Sequence, residues 1–125
     1  MRILIADDNK FVRRGIAGLL AKQDGCELCG EASDSAEAIQ KTNELQPDLV
    51  LLDVSMPGGN GLETTRVLKQ KFPKTKILII THHDPRQLLP RALELGAIGC
   101  VDKARLALDL LPTIRAVQNE PAAQN

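Results

Sequence analysis

Short runs of consecutive apolar residues punctuate the chain: Ile3-Leu4-Ile5-Ala6, Leu49-Val50-Leu51-Leu52, Ile77-Leu78-Ile79-Ile80 and a weaker Ile98-Gly99-Cys100-Val101. Runs of this length, rich in branched side chains and lacking polar alternation, fit strands covered on both faces, as in a parallel sheet. Residues 26–32 alternate more and are expected to form an edge strand. Between the runs the apolar spacing becomes helical. Val12, Ile16 and Leu19 mark a first helix, and Ala38, Ile39 and Leu45 a second over residues 35–45. Leu62, Thr65, Leu68 and Phe72 mark a third, and Leu106, Leu110, Ile114 and Val117 a fifth. Asp34 with Glu37 three places later predicts a capping box for the second helix. Asp84 and Pro85 supply an N-cap and a first-turn proline for a fourth helix over residues 85–95. Pro90 and Pro112 fall inside the fourth and fifth patterns, so those helices either start later or are kinked. Strand and helix alternate five times, which predicts an α/β, doubly wound (βα)5 three-layer sandwich with a parallel five-stranded sheet of order 2-1-3-4-5. Residues 1–118 form one domain on this reading, and the polar residues 119–125 a tail or the start of a linker.

Composition narrows what such a domain does. The chain has 125 residues, 16 basic and 16 acidic, and a formal net charge of zero. Phosphate neutralisation by a basic patch and a polybasic membrane anchor are therefore disfavoured, and no direct nucleic-acid binding is expected of this domain. There is no Trp and no Tyr, and Phe11 and Phe72 are the only rings, so base stacking is excluded and the core must be aliphatic. No apolar stretch approaches the ~20 residues of a membrane span, and no signal-peptide plan opens the chain. The odd number of cysteines, Cys26, Cys29 and Cys100, argues against a secreted disulfide framework. The expected compartment is the cytoplasm.

In an open α/β sheet of this order, ligands bind beyond the carboxyl ends of strands 1 and 3, where the strand order reverses. Asp7, Asp8 and Asp53 stand there, with Thr81 ending strand 4 and Lys103 following strand 5. Three converging carboxylates repel one another, and a hard divalent cation such as Mg²⁺ resolves the conflict. A cation there would also bind a phosphoryl group, Lys103 and Thr81 could hold its remaining oxygens, and a carboxylate can attack phosphorus to give an aspartyl phosphate. The pattern points to phosphoryl chemistry on an Asp.

The same residues carry a resemblance that covers nearly the whole chain. ILIADDN, LVLLDVSMPGGNGLE, ILIITHHD and GAIGCVDK resemble the receiver domain of two-component response regulators, and LLPTIRAV looks most like receivers attached to LuxR/NarL-type helix-turn-helix output domains. The resemblance implies the flavodoxin-like fold and a signalling switch. Asp53 then matches the phosphoacceptor for a sensor histidine kinase, and Asp8 the direct ligand of Mg²⁺ or Mn²⁺. Asp7 acts on the metal mainly through water, and the backbone carbonyl of Ser55 is a further ligand. Lys103 pairs with the phosphoryl group and Thr81 supplies the hydroxyl that moves toward it. Met56-Pro57 and Gly61 match the loop after the phosphorylated strand, where Gly permits the chain to turn. The partners implied are the kinase and a DNA-binding output domain in a longer protein; homodimerisation on phosphorylation is left open.

Two departures stand out. Cys100 occupies the place of an aromatic that usually turns inward during switching, so the output face made by the fourth helix, fifth strand and fifth helix is altered. His82 stands where the family keeps a small residue, and with His83 either changes the lifetime of the phosphoryl group or is one of two exposed loop histidines. A phosphate-independent interaction module is the alternative reading. A phosphatase of the haloacid dehalogenase type fits less well, because Ser55 stands where such enzymes place a second Asp. The CxxC spacing of Cys26 and Cys29 puts the thiols on opposite faces of a strand, which argues against a metal or redox pair. Gly58-Gly59-Asn60-Gly61 reads as a flexible loop, and Arg13, Arg14, Lys69, Lys71, Lys74 and Lys76 as solvated faces.

Overall fold

The two apolar periods of the chain assemble, in a computed structural model that describes residues 1–57 and 60–119, as one sheet between two layers of helices. The order is β1 (Arg2–Ala6), α1 (Lys10–Leu20), β2 (Glu27–Ala32), α2 (Ser35–Leu45), β3 (Leu49–Asp53), α3 (Gly61–Lys71), β4 (Lys76–Thr81), α4 (Pro85–Glu94), β5 (Gly99–Asp102), a 3₁₀ turn (Lys103–Arg105) and α5 (Leu106–Gln118). All strand pairs are parallel in the order β2-β1-β3-β4-β5, the flavodoxin-like topology, with the alternating segment β2 at an edge as expected. Residues 120–125, in the expected tail, lie outside the described residues, as do Gly58 and Gly59.

Each apolar run serves both layers because successive strand side chains point to opposite faces. Leu4, Ala6, Val50, Leu52, Ile77 and Ile79 meet Ala38, Leu68 and Ala92 of α2, α3 and α4. Ile3, Ile5, Leu49, Leu51, Leu78 and Ile80 meet Ile16 and Leu20 of α1 and Leu110 and Ile114 of α5. Every one of these strand residues is buried, and a fully buried aliphatic side chain stabilises by about 1.5–3 kcal/mol before conformational entropy is subtracted. The core is aliphatic, Phe11 standing 68% exposed outside it. Cys26 packs into the α1/α5 layer and Cys29 into the other, on opposite faces as the spacing implies. The register jumps from Ile3↔Leu28 to Leu4↔Gly30, so Cys29 sits in a bulge.

The helix boundaries follow their caps. Asp34 Oδ1 accepts the Glu37 N–H at 2.7 Å, while Glu37 Oε1 reaches back to the Ser33 N–H, one residue before the partner a capping box would give it. Asp84 caps α4 by accepting the Arg86 N–H at 3.0 Å. Neither proline delays its helix: α4 starts at Pro85 and runs through Pro90, and α5 runs through Pro112. Each removes one donor, leaving the carbonyls of Arg86 and Leu108 without their helical partners.

Candidate functional site

Because β1 and β3 are neighbours in the sheet, the residues at their carboxyl ends converge. One carboxylate oxygen from each of Asp7, Asp8 and Asp53 lies within 4.8 Å of the others. Asp7 and Asp53 are buried, at 0% and 1% exposure, whereas Asp8 is exposed. The local backbone aims the first two. Asp7 Oδ1 accepts the Asn9 N–H at 2.8 Å, and the side chain of Asn9 in turn caps α1. Asp53 Oδ1 accepts the Ser55 N–H at 2.9 Å. In each case one oxygen is tied to the loop and the second faces the pocket.

Lys103, delivered by the turn after β5, fills the space between them. Its Nζ lies 2.7 Å from Asp7 Oδ2 and 3.0 Å from Asp53 Oδ2, and its side chain is 5% exposed. Burial works to lower the pKa of this ammonium, but the contacts with Asp7 and Asp53 and their negative charge outweigh it and hold the pKa above the ordinary lysine value. Apart from this ion pair, neither Oδ2 atom has a partner among the described residues. One ammonium is thus shared by two of the three clustered carboxylates. Two buried oxygens facing the pocket with spare acceptor capacity, beside an exposed third carboxylate, form an all-oxygen donor set that suits a hard divalent cation.

The remaining candidates border this centre. Thr81 ends β4, fully buried, and its Oγ1 accepts the His83 N–H at 3.0 Å. Ser55 is exposed and touches Asp53 through its main-chain N–H. His82 and His83 are both exposed. Asn60 caps α3 through Leu62 N–H at 2.9 Å. Gly61 owes its place to close approach: its φ is not left-handed, but a Cβ there would lie 2.2 Å from Val54 Cα. Gly61 thus permits the chain to turn back into α3 through the absence of a Cβ rather than through a left-handed φ. Cys100 is half-buried and lines a groove of about 600 Å³ with Asp84, Arg86, Arg105, Asp109 and Pro112, on the α4–β5–α5 face.

Two basic residues read as solvated are not. Lys69 donates to the carbonyls of Pro73 and Thr75 at 2.9 and 2.7 Å, and burial lowers its pKa. Arg13 donates from Nη1 to the Asp7 carbonyl at 2.7 Å and from Nε to Glu31 Oε1 at 2.8 Å. Its neighbour Arg14 is exposed, so the helical period of α1 separated the two, and the partner of Arg13 lies on a strand that sequence spacing does not bring near.

Comparison with known proteins agrees with this geometry. Residues 3–115 match the response regulator receiver domain. The chain is 38% identical over 117 residues to the response regulator GacA of Pseudomonas viridiflava, covering 94% of this chain and 55% of that protein. It therefore spans about half the length of that relative. A LuxR-family two-component response regulator from Aurantimonas sp. SI85-9A1 superposes with a TM-score of 0.86 at 35% identity, covering 93% of this chain and 83% of that one. RcsB from Salmonella enterica serovar Typhimurium, solved bound to promoter rprA in the presence of the phosphomimetic BeF₃⁻, gives a TM-score of 0.86 at 30% identity, covering 94% and 60%. With its parallel sheet, its acidic pocket and this match over nearly its whole length, the chain belongs to the response regulator receiver family and is of the LuxR/NarL type.

Proposed function

We propose that this receiver is a phosphorylation switch in which Asp53 takes a phosphoryl group from the phosphohistidine of a sensor histidine kinase. The observation that carries the proposal is the buried Asp53 carboxylate, with one oxygen tied to Ser55 N–H and the other beside Lys103 in a cluster of three carboxylates. The oxygen facing the pocket attacks phosphorus, the N–P bond to the donor imidazole breaks, and the imidazole leaves with the bonding pair and is protonated. Lys103 stands to neutralise the charge that develops on the phosphoryl oxygens, and Thr81 can turn its hydroxyl proton to one of them. Asp7, Asp8 and Asp53, with the Ser55 carbonyl, are the residues that would hold Mg²⁺ or Mn²⁺. When bound, that cation supplies positive charge which offsets the carboxylates and polarises the phosphoryl group.

Phosphorylation then alters the α4–β5–α5 face and regulates transcription through a separate DNA-binding domain. The similarity to RcsB, solved on promoter DNA, supports that output. The place of action is the cytoplasm. Among the described residues no helix is long and apolar enough to cross a membrane.

Incubation with Mg²⁺ and acetyl phosphate, followed by intact mass, tests the reading. One added phosphoryl group is expected on the wild type and none on Asp53→Asn. A time course of its loss in His82→Ala and His83→Ala then shows whether these side chains govern its lifetime. Absence of any gain, with acetyl phosphate and with a kinase alike, would replace the switch with a phosphate-independent interaction module.

A further inference from the structure

Asp7 is held from four directions. Its N–H donates to the Ala32 carbonyl of β2 at 3.0 Å, its Oδ1 accepts from Asn9, its Oδ2 pairs with Lys103, and its carbonyl accepts from Arg13 Nη1 at 2.7 Å. The last of these differs in kind, because the Asp7 carbonyl belongs to the peptide that joins Asp7 to Asp8. The orientation of that peptide plane sets the direction in which the Asp8 side chain leaves the chain. Asp8 is exposed, and among the described residues no hydrogen-bond donor or cation holds its carboxylate, so the backbone is what aims it.

Arg13 is in turn braced. Its side chain is 19% exposed and its Nε is engaged by Glu31 Oε1, on β2, at 2.8 Å. The planar guanidinium thus ties α1, the β1–α1 loop and β2 together through two donors of fixed relative direction, a geometry a lysine cannot reproduce. We propose that Arg13 is a positioning residue of the acidic pocket: by fixing the Asp7–Asp8 peptide it presets the two carboxylates for a divalent cation. This inference rests on the divalent-cation reading of the pocket given above.

Charge makes the proposal separable from simple electrostatics. Removing a cation from the neighbourhood of three carboxylates should by itself tighten binding of another cation. Loss of positioning should weaken it, and outer-shell partners of metal ligands are commonly worth 10-fold or more in affinity. Isothermal titration of the folded protein with MgCl₂ distinguishes the two, with thermal melts in EDTA reporting folding separately. Arg13→Ala is expected to weaken Mg²⁺ binding by on the order of 10-fold, and Arg13→Lys to recover part of the loss. In the metal-free protein, the Asp8 and Asn9 amides should exchange faster in Arg13→Ala than in the wild type. Should Arg13→Ala not fold, Arg13→Lys decides the matter, and affinity equal to wild type in that variant would overturn the inference. Equal or tighter binding by Arg13→Ala also overturns it while leaving the phosphorylation switch standing. No Mg²⁺ binding by the wild type would remove the cation reading and this inference together.

Discussion

Lys103 illustrates how a single side chain reconciles groups that otherwise conflict. Two buried carboxylates flank it at 2.7 and 3.0 Å, so removing the ammonium leaves buried negative charge without a compensating cation. Lys103→Met is expected to lose about 3–5 kcal/mol of stability, the range measured when one partner of a buried pair is deleted. The same variant should bind Mg²⁺ more tightly, since no ammonium then competes for Asp7 and Asp53; titration calorimetry checks this. The pH dependence follows from the raised pKa. Below the ordinary lysine value of 10.5 the folded and unfolded states both hold the proton, and the stabilisation is complete. As pH rises further the unfolded chain releases its proton first, and the contribution is gone once pH passes the higher folded value. Alkaline denaturation curves above pH 10.5 should therefore be steeper for the wild type than for Lys103→Met. Sequence order alone showed Lys103 near the pocket, but its pairing with Asp7 as well as Asp53 is a contact across the sheet, from the turn after the edge strand β5 to the ends of β1 and β3.

At the scale of elements, the start of α3 lies hard against the end of β3 through Gly61 and Val54. Gly61 N–H donates to the Val54 carbonyl at 3.2 Å, and a methyl group on Gly61 would press against the Val54 backbone. Since backbone rather than a flexible side chain must yield, Gly61→Ala is expected to cost about 1–3 kcal/mol. Val54 directly follows Asp53, so the displacement should also slow phosphorylation by acetyl phosphate. A normal melting temperature and rate in this variant would show that the loop accommodates the methyl group. Of the capping residues, Asn9 and Asn60 emerged only from the structure, whereas Asp34 and Asp84 were legible in the sequence because a cap acts within three residues. The prolines were not, because local rules weigh a lost bond against nothing, whereas packing of Ala92 and of Leu110 and Ile114 into the core holds α4 and α5 together across the break.

In the whole molecule a single strand, β4, separates Asp53 at the end of β3, the proposed phosphoacceptor, from β5 of the proposed output face. Thr81 pairs with Asp102 and Ile79 with Cys100, so under the proposed switch a movement of Thr81 toward Asp53 would draw the β4–α4 loop away from β5. Asp84 and Arg86 line the same groove as Cys100, and that groove should widen as the loop moves. In protein carrying Cys26→Ser and Cys29→Ser, the Cys100 thiol is expected to react faster with a disulfide reagent after phosphorylation, from a slow start because burial raises its pKa. Identical rates would mean that the groove does not follow the switch. The missing rings matter here too: with no Trp or Tyr the protein lacks the usual intrinsic fluorescence reporters, and the thiol is the natural one. Much of this molecule was determined by its sequence alone. Apolar runs wrote the parallel sheet, helical spacing wrote the two layers, and the residues ending each run announced the acidic pocket, because each of these depends on periods of two to four residues. What only the tertiary structure decided depends on contacts between distant segments: Arg13 braced by Glu31 behind Asp7, Lys103 between two carboxylates, and Gly61 against Val54. Such contacts arise when strand order sets which chain ends meet, and no local pattern of side chains encodes a distance across a sheet.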